Sequence, residues 1–529
     1  MRSKPGEPWL ERYFLQSFRP YLWIGLIGFL LYCRTLFFGF VYLDDNTLIL
    51  ENIGFLGNLG NLFQSFRQDV FRLLPNADAY YRPLLTVSFI FDAQLGGANP
   101  FFYHLTNILL HLLSASLLFA FLVRLGYQRG PSLVFALLFT AHPVLAQAVA
   151  WIPGRNDTLL TLFVLPAFIF LIDYDRTGKR ADYGRHLLFF LLALFTKETA
   201  AIIVVLGLLY LYLIAEENLF SAKVKWLLAG WLATGAAYFW LRQTALIKPL
   251  QAKLSDVVPA GINNLPALIQ FTGKIFFPLN LSVLPVIKDT TLVFGVIALV
   301  ILACLLWTVK RERRNRALFG SSWFILFLLP TLFYCNPAVE CGTNFHLEHR
   351  LYLPLVGMII VLMESRLVAW LSGKRVLLVG LLLACFAGLT LLHQAHFTDR
   401  LTFWTNAART SPHSPLAHRN LGAMFWLDGQ VERAEQEYLK AQELNPGEPM
   451  VHNNLGLIYL NRGQLAAAER EFLTELQYYP DYDNALFNLG LLYARQGERR
   501  KAAALWQRTL DVNPLYDDAR RNLEILRAH

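Results

Sequence analysis

The sequence predicts an all-α protein: a polytopic membrane helix bundle followed by a short helical solenoid. Three observations lead there. Of 529 residues, 55% are hydrophobic and only 16% charged, where a soluble chain carries about a quarter. Apolar runs, several of about 17 residues or more, recur between Tyr21 and His393, as repeated membrane spans do. After His396 charges become frequent and a 34-residue period sets in. The expected domains are therefore 1–396 and 397–529.

The first run, about 20–41, is long, lacks a small-residue cleavage site and is followed by Asp44-Asp45. It reads as a retained span rather than a signal peptide. The basic stretch before it, "MRSKPGEPWLERYFLQSFR", is expected on the cytoplasmic side. Residues 42–102 then form an external loop. Within it, "FLGNLGNLFQSFRQDVFRLL" and "RPLLTVSFIFDAQL" read as short amphipathic helices lying on the membrane.

Further spans are expected near 103–124, 131–149, 156–173, 186–196, 199–214 and 224–243. The basic run "KRERRNR" at 310–316 belongs inside, so 291–309 must cross. By parity, "LPALIQFTGKIFFPLNLSVL" (265–284) does not cross; Gly273 and Pro278 suit an interfacial or re-entrant helix. Spans at 317–334, 350–371 and 375–394 bring the total to about eleven, with the N-terminus inside and the C-terminus outside. The net charge of +9 sits largely in short loops between apolar runs, so it marks topology and not nucleic-acid binding.

The solenoid can be checked letter by letter. Leu421-Gly422 recurs as Leu455-Gly456 and Leu489-Gly490, and Pro446, Pro480 and Pro514 close the units. Ala434, Ala468 and Ala502 recur, as do the aromatics Tyr438, Phe472 and Trp506. This is the tetratricopeptide (TPR) pattern of helix–turn–helix units. Repeats are expected at 415–448, 449–482 and 483–516. Trp404 and Pro412 mark a partial repeat at 397–414, and 517–529 reads as a capping helix.

Charged groups against a membrane are expensive and usually functional, and several gather on the external side. Asp44 and Asp45, in "VYLDDNTL", are either a solvated helix end or an acidic pair in which one carboxylate serves as general base. Arg82, in "YYRPLL", is either a snorkelling side chain or a phosphate or sugar contact. His142 closes span 3, and Arg155 and Asp157 in "GRND" open span 4, so all three are expected outward and close together. Asn156 and Asp157 also make an ordinary N-cap. Lys197-Glu198 interrupts apolar sequence; it is either a mutual ion pair in a tight turn or a cation for a lipid-linked phosphate. "NFHLEHRLYLPLVG" places His346, Glu348, His349, Arg350 and Tyr352 at the external mouth of a span. Arg suits phosphate because its donors lie in one fixed plane. The His/Glu spacing lacks the HExxH pattern, so no metal site is assigned.

Cys33, Cys304 and Cys385 fall within spans and are expected to pack there. Cys335 and Cys341 share one predicted external loop and form a disulfide candidate in an oxidising compartment.

With these residues in view, the chain resembles the C-type glycosyltransferase (GT-C) superfamily. More narrowly, it is similar to the transmembrane and TPR repeat-containing O-mannosyltransferases and their bacterial relatives. The stretches carrying the resemblance are "VYLDDNTLI", "YYRPLLTVSFIFDAQLGGANPFFYHLTNILLHLL", "AHPVLAQAVAWIPGRND", "FTKETA", "HRLYLPLVG" and "FWTNAARTSPHSPLAHRNLG". The resemblance implies transfer of a monosaccharide from a polyprenyl- or dolichyl-phosphate carrier to an acceptor hydroxyl, on protein Ser/Thr. It implies no cofactor beyond that donor. It assigns the base to Asp44 or Asp45, and donor-phosphate contacts to basic residues such as Lys197 and Arg350. The compact loops and few repeats fit a bacterial inner-membrane protein with its site and TPR domain in the periplasm. Two other classes stand beside it: a non-enzymatic TPR assembly scaffold, and a lipid-linked sugar flippase or transporter. A transporter needs polar groups along both halves of a path, and the cytoplasmic half supplies almost none.

Overall fold

The computed structural model describes residues 11–73, 80–246, 254–333, 346–367 and 376–528. Every regular element among them is a helix. The chain divides into two compact units between Phe403 and Trp404.

In the first unit the helices that bear on the site are α1 (Arg19–Tyr32), α2 (Pro83–Gly96), α3 (Pro100–Arg124), α4 (Arg129–Ala141), α5 (Arg155–Thr177), α6 (Arg180–Thr196), α7 (Ile202–Leu213), α8 (Ala222–Ala245), α9 (Leu265–Phe276), α10 (Val293–Trp307), α11 (Arg314–Leu332), α12 (Pro354–Glu364) and α13 (Val376–Gln394). Among the described residues four segments are long and apolar enough to cross a membrane: Arg19–Phe37, Pro100–Arg124, Ile152–Thr177 and Leu377–Phe397. The number rises to six if two bent pairs each count once, one bent 52° at His142 and one bent 115° across the basic run after Trp307. About eleven is not reached by this measure, because several apolar runs form shorter helices. Glu198–Leu213 and Pro354–Glu364 are two of them. At 12 residues α9 is also too short to cross.

An aromatic cluster lies within the core of this unit. Trp323 of α11 packs on Phe168 of α5 at 4.7 Å and on Phe121 of α3 at 5.6 Å between ring centroids. The backbones of α11 and α12 touch: a Cβ on Gly357 would lie 2.5 Å from the Gly320 carbonyl oxygen. Trp323 Nε1 then donates to Leu353 O at 2.9 Å. This contact holds the start of α12, and with it residues 346–350, against the bundle. Cys304 and Cys385 are exposed on their helices rather than packed. Cys335 and Cys341 lie outside the described residues.

The second unit contains paired antiparallel helices in the expected register: Pro415–Leu427 with Val431–Leu444, Val451–Asn461 with Leu465–Tyr478, and Asp483–Arg495 with Arg499–Val512. Asp517–Ala528 follows them. The small residue of each unit exists to admit its aromatic. A Cβ on Gly456 would lie 2.6 Å from the Phe472 ring, and one on Gly422 2.8 Å from Tyr438.

Candidate active site

Beyond α1 the chain turns through Cys33–Phe37 and reaches Tyr42 in the left-handed region, at φ 59°. That turn separates the two acids. Asp45 is buried and folds back so that its Oδ2 accepts from Val41 N–H at 3.0 Å. Asp44 instead lines a cavity of about 290 Å³. Burial pushes the Asp44 carboxyl up to about 6, opposed by the Arg82 guanidinium. Burial pushes Asp45 up to about 7; the Val41 N–H lowers it and the Asp44 charge raises it.

The same cavity is lined by Arg82, Asp157, Lys197, Glu198 and Arg350. Arg82 stands immediately before α2 and forks onto Glu198, at 2.7 and 3.2 Å. Its guanidinium also lies 4.5 Å from the Tyr80 ring centre. With its amide turned to suit both neighbours, Asn156 accepts from Arg82 at 3.0 Å and donates to Thr196 O at 3.0 Å. Lys197 Nζ donates to both oxygens of Asp157, at 2.8 and 3.0 Å. Burial lowers the Lys197 ammonium and Asp157 opposes that shift. Lys197 and Glu198 therefore do not pair with each other. Each reaches across to a partner from another part of the chain, because the extended backbone of Lys197 (φ −158°, ψ 134°) sends adjacent side chains apart.

His349 enters the same cavity with its Nε2 3.7 Å from Asp157 Oδ2. Its Nδ1 lies 3.2 Å from Gln147 Oε1, and its ring packs at 5.4 Å on Trp151. One wall is apolar, with Phe327 and Pro330 of α11 beside Leu353 and Pro354.

Besides Asp45, five of the expected site residues do not line the cavity. Arg155 is wholly buried rather than outward: it pairs with Asp92 at 2.5 Å, donates to Asn107 Oδ1 and Tyr103 O at 2.7 Å each, and stacks on Phe89. The sequence could not supply Asp92, its counter-ion on α2. Glycine sets this corner: a Cβ on Gly154 would lie 2.7 Å from Gln147 O. The chain therefore doubles back tightly and α5 starts inside the unit. His142 is buried as well; Nε2 bonds Ile275 O at 3.0 Å and Nδ1 accepts from Val144 N–H at 3.3 Å, which caps the following turn. Tyr352 points into the core, its hydroxyl 2.7 Å from His111 Nδ1. His346 is buried edge-on to Phe271 at 6.1 Å. Glu348 is buried with Lys274 at 2.7 Å, Ser282 N–H at 2.9 Å and His393 Nε2 at 3.0 Å. In "HLEHR" the short turn Glu348–Leu351 sends Glu348 into the bundle and His349 and Arg350 to the cavity. Sequence reasoning passed over Gln147, although it is the one polar side chain in "HPVLAQAVAW" after the histidine. Among the described residues no group of three or more His, Cys, Asp or Glu side chains is arranged to hold a metal.

The chain resembles protein O-mannosyl-transferases of the TMTC type and carries tetratricopeptide repeats. Residues 400–449, 437–470 and 484–508 match the tetratricopeptide repeat family. The mouse (Mus musculus) protein O-mannosyl-transferase TMTC1 is 35% identical over 152 residues, which is 27% of this chain and 16% of that protein. Drosophila melanogaster Tmtc1 is 34% identical over 179 residues, 33% of this chain and 20% of that protein. The mouse TMTC2 protein is 33% identical over 153 residues, covering 28% and 18% respectively. The chain thus spans between about a sixth and a fifth of the length of these curated relatives. Among solved structures, MamA 41-end from Desulfovibrio magneticus RS-1 is similar at 21% identity and a TM-score of 0.23, over 24% of this chain and 73% of that one.

Proposed function

We propose that the protein is an inverting membrane glycosyltransferase. It transfers a monosaccharide, mannose by the resemblance, from a polyprenyl-phosphate carrier to a Ser/Thr hydroxyl of a protein acceptor. The observation carrying this reading is that Asp44 shares a cavity of about 290 Å³ with Arg82, Lys197 and Arg350, while the other two acids lining it, Asp157 and Glu198, are engaged by Lys197 and Arg82. An acid and several cations facing one space suit a reaction that removes a proton from a hydroxyl and expels a phosphate. Asp44 takes the proton of the acceptor hydroxyl. The acceptor oxygen bonds the anomeric carbon as the bond from that carbon to the phosphate oxygen breaks. The lipid phosphate leaves with the electron pair, its charge met by Lys197 and Arg350. Asp45 holds the turn that aims Asp44.

The setting completes the proposal. The unit up to Phe403 spans the membrane about eleven times with the GT-C arrangement, the shorter apolar helices crossing where the bilayer thins around them and flanking residues complete the passage. The cavity opens at the periplasmic face of a bacterial inner membrane, and the TPR unit presents the protein acceptor. The similarity to protein O-mannosyl-transferases favours a protein acceptor, and the apolar wall beside Phe327 suits a lipid-linked donor.

The test is transfer by the purified full chain from a short-chain polyprenyl-phosphate mannose to a Ser/Thr peptide. Asp44→Asn is expected to lower kcat by about a hundredfold or more, while Asp45→Asn, which keeps an oxygen for Val41 N–H, retains most of it. Undiminished transfer by Asp44→Asn sinks the assignment. A chain whose function survives loss of Asp44 and Lys197 but not of the repeats is a scaffold instead.

A further inference from the structure

The strongest unassigned feature is the setting of His349. Gln147 is wholly buried, and backbone groups fix its amide orientation. Its Oε1 accepts from His349 N–H at 3.0 Å and its Nε2 donates to Val283 O at 2.8 Å. A backbone N–H only donates and a carbonyl only accepts, so this amide cannot be turned round. The Oε1 therefore presents an acceptor to His349 Nδ1, 3.2 Å away, and Nδ1 must carry the proton.

That leaves Nε2 as a lone-pair acceptor on the cavity side. Burial brings the His349 ring down to about 3; Asp157 opposes this and Lys197, Arg350 and Arg82 reinforce it. Facing Nε2 at 3.7 Å is Asp157 Oδ2, also an acceptor. Two acceptors at that separation have nothing to exchange with each other. They suit two donors placed side by side. Lys197 already supplies a cation to Asp157, so a neutral donor fits the space better than a second cation.

The geometry points to His349 Nε2 and Asp157 Oδ2 as a paired-acceptor subsite that reads two adjacent hydroxyls on the pyranose ring of the donor, with Gln147 as the positioning residue that fixes the His349 tautomer. The inference rests on the glycosyltransferase reading and deepens it. It names the part of the substrate that is read, a vicinal diol, and the chain's own groups that read it. Without those hydroxyls His349 Nε2 loses its donor and Asp157 Oδ2 keeps only Lys197, so such a subsite discriminates against sugars lacking either one.

The experiment uses the full-length protein and short-chain polyprenyl-phosphate mannose with its 2-, 3-, 4- and 6-deoxy analogues. In the parent protein, two adjacent ring positions are expected to lose about tenfold to a hundredfold in kcat/KM when deoxygenated. In His349→Asn, which keeps a donor for Gln147 but removes the acceptor at the Nε2 position, the penalty at one of those positions shrinks to within about twofold, while the other persists. His349→Gln, which returns an oxygen near the Nε2 position, restores the penalty. Equal penalties in the parent and His349→Asn at every position overturn the inference and leave the glycosyltransferase reading standing. If His349→Asn does not fold, the parent series still decides, because a series in which no adjacent pair costs more than about threefold overturns it as well. No transfer from any lipid-phosphate sugar removes the glycosyltransferase reading and this inference with it.

Discussion

Lys197 Nζ donates to both carboxylate oxygens of Asp157 across forty residues of chain. The pair is largely buried, at 15% and 5% side-chain exposure. Removing one member leaves the other charge without its partner in a poorly solvated place. Lys197→Ala is expected to destabilise the unit by about 3 kcal/mol, and Lys197→Ala with Asp157→Asn to recover much of that. Thermal unfolding in detergent checks the stability. The double variant is expected to stay inactive in transfer, since the cation for the phosphate is still missing. Recovery of both stability and transfer makes the pair purely structural.

The pH response of Asp44 has a definite sign. Its carboxyl is pushed up to about 6 and works only when ionised. Transfer is therefore expected to rise about tenfold per pH unit below 6 and to level off above it. Arg82 holds the carboxyl down, so Arg82→Gln moves the midpoint upward. A kcat/KM profile over pH 4.5–8 for the two proteins, flat in the parent or unmoved in the variant, contradicts this.

Asp45 predicts a stability effect instead. Its folded value of about 7 lies above the usual carboxylate value of about 4. The folded state therefore binds the proton more tightly. That contribution is complete below about pH 4 and is lost as pH rises through 7. Asp45→Asn removes the titrating group while keeping an oxygen for Val41 N–H. The fall in unfolding temperature between pH 5 and 8 is expected to flatten by a few degrees, measured by thermal scans of both proteins.

Arg155 and Asp92 are a core pair, at 0% and 2% side-chain exposure. Arg155→Leu is expected to destabilise by about 3–5 kcal/mol because it strands the Asp92 carboxylate, and adding Asp92→Asn to return part of it. Yield of folded protein and melting temperature are the measurements. A variant as stable as the parent but unable to transfer returns Arg155 to the active site.

In the repeats, Gly456→Ala places a methyl 2.6 Å from the Phe472 ring. It is expected to cost about 1–3 kcal/mol. Circular dichroism melts of the full chain compare it with an alanine at Gly463, where a Cβ meets no atom within 4 Å but φ is +75°. That second change strains the turn and leaves Phe472 in place.

How legible this was depends on the range of the interactions. The repeats read themselves, because Gly456 meets Phe472 only sixteen residues away and the spacing recurs. The apolar runs gave helices, but not their lengths: "PLVGMIIVLME" is a helix of 11 residues where a span of about twenty was expected. Asp44 and Asp45 were found as a pair. Their division of labour depends on the positive φ of Tyr42 and the Val41 N–H, which no side-chain pattern announces. Lys197-Glu198 stands out in the sequence as an adjacent pair and Arg82 as a lone cation. Their partners lie 40 and 116 residues away and could not be chosen from sequence. Arg155 misled because "GRND" has the composition of an exposed turn, whereas Gly154 is there to let backbone touch backbone.

The first turn of α5 links the buried core to the cavity. Arg155 faces the core, while the next two residues, Asn156 and Asp157, line the cavity. Successive helical residues point about 100° apart, so each direction is fixed by counting from the Gly154 corner. One inserted or deleted residue there turns Asp157 away from Lys197 and takes Arg155 off Asp92 in the same move. This corner is therefore intolerant of any change in length, although its letters resemble a surface loop. Natural variants of the chain should vary in size elsewhere and keep the same count of residues between Gln147 and Asp157.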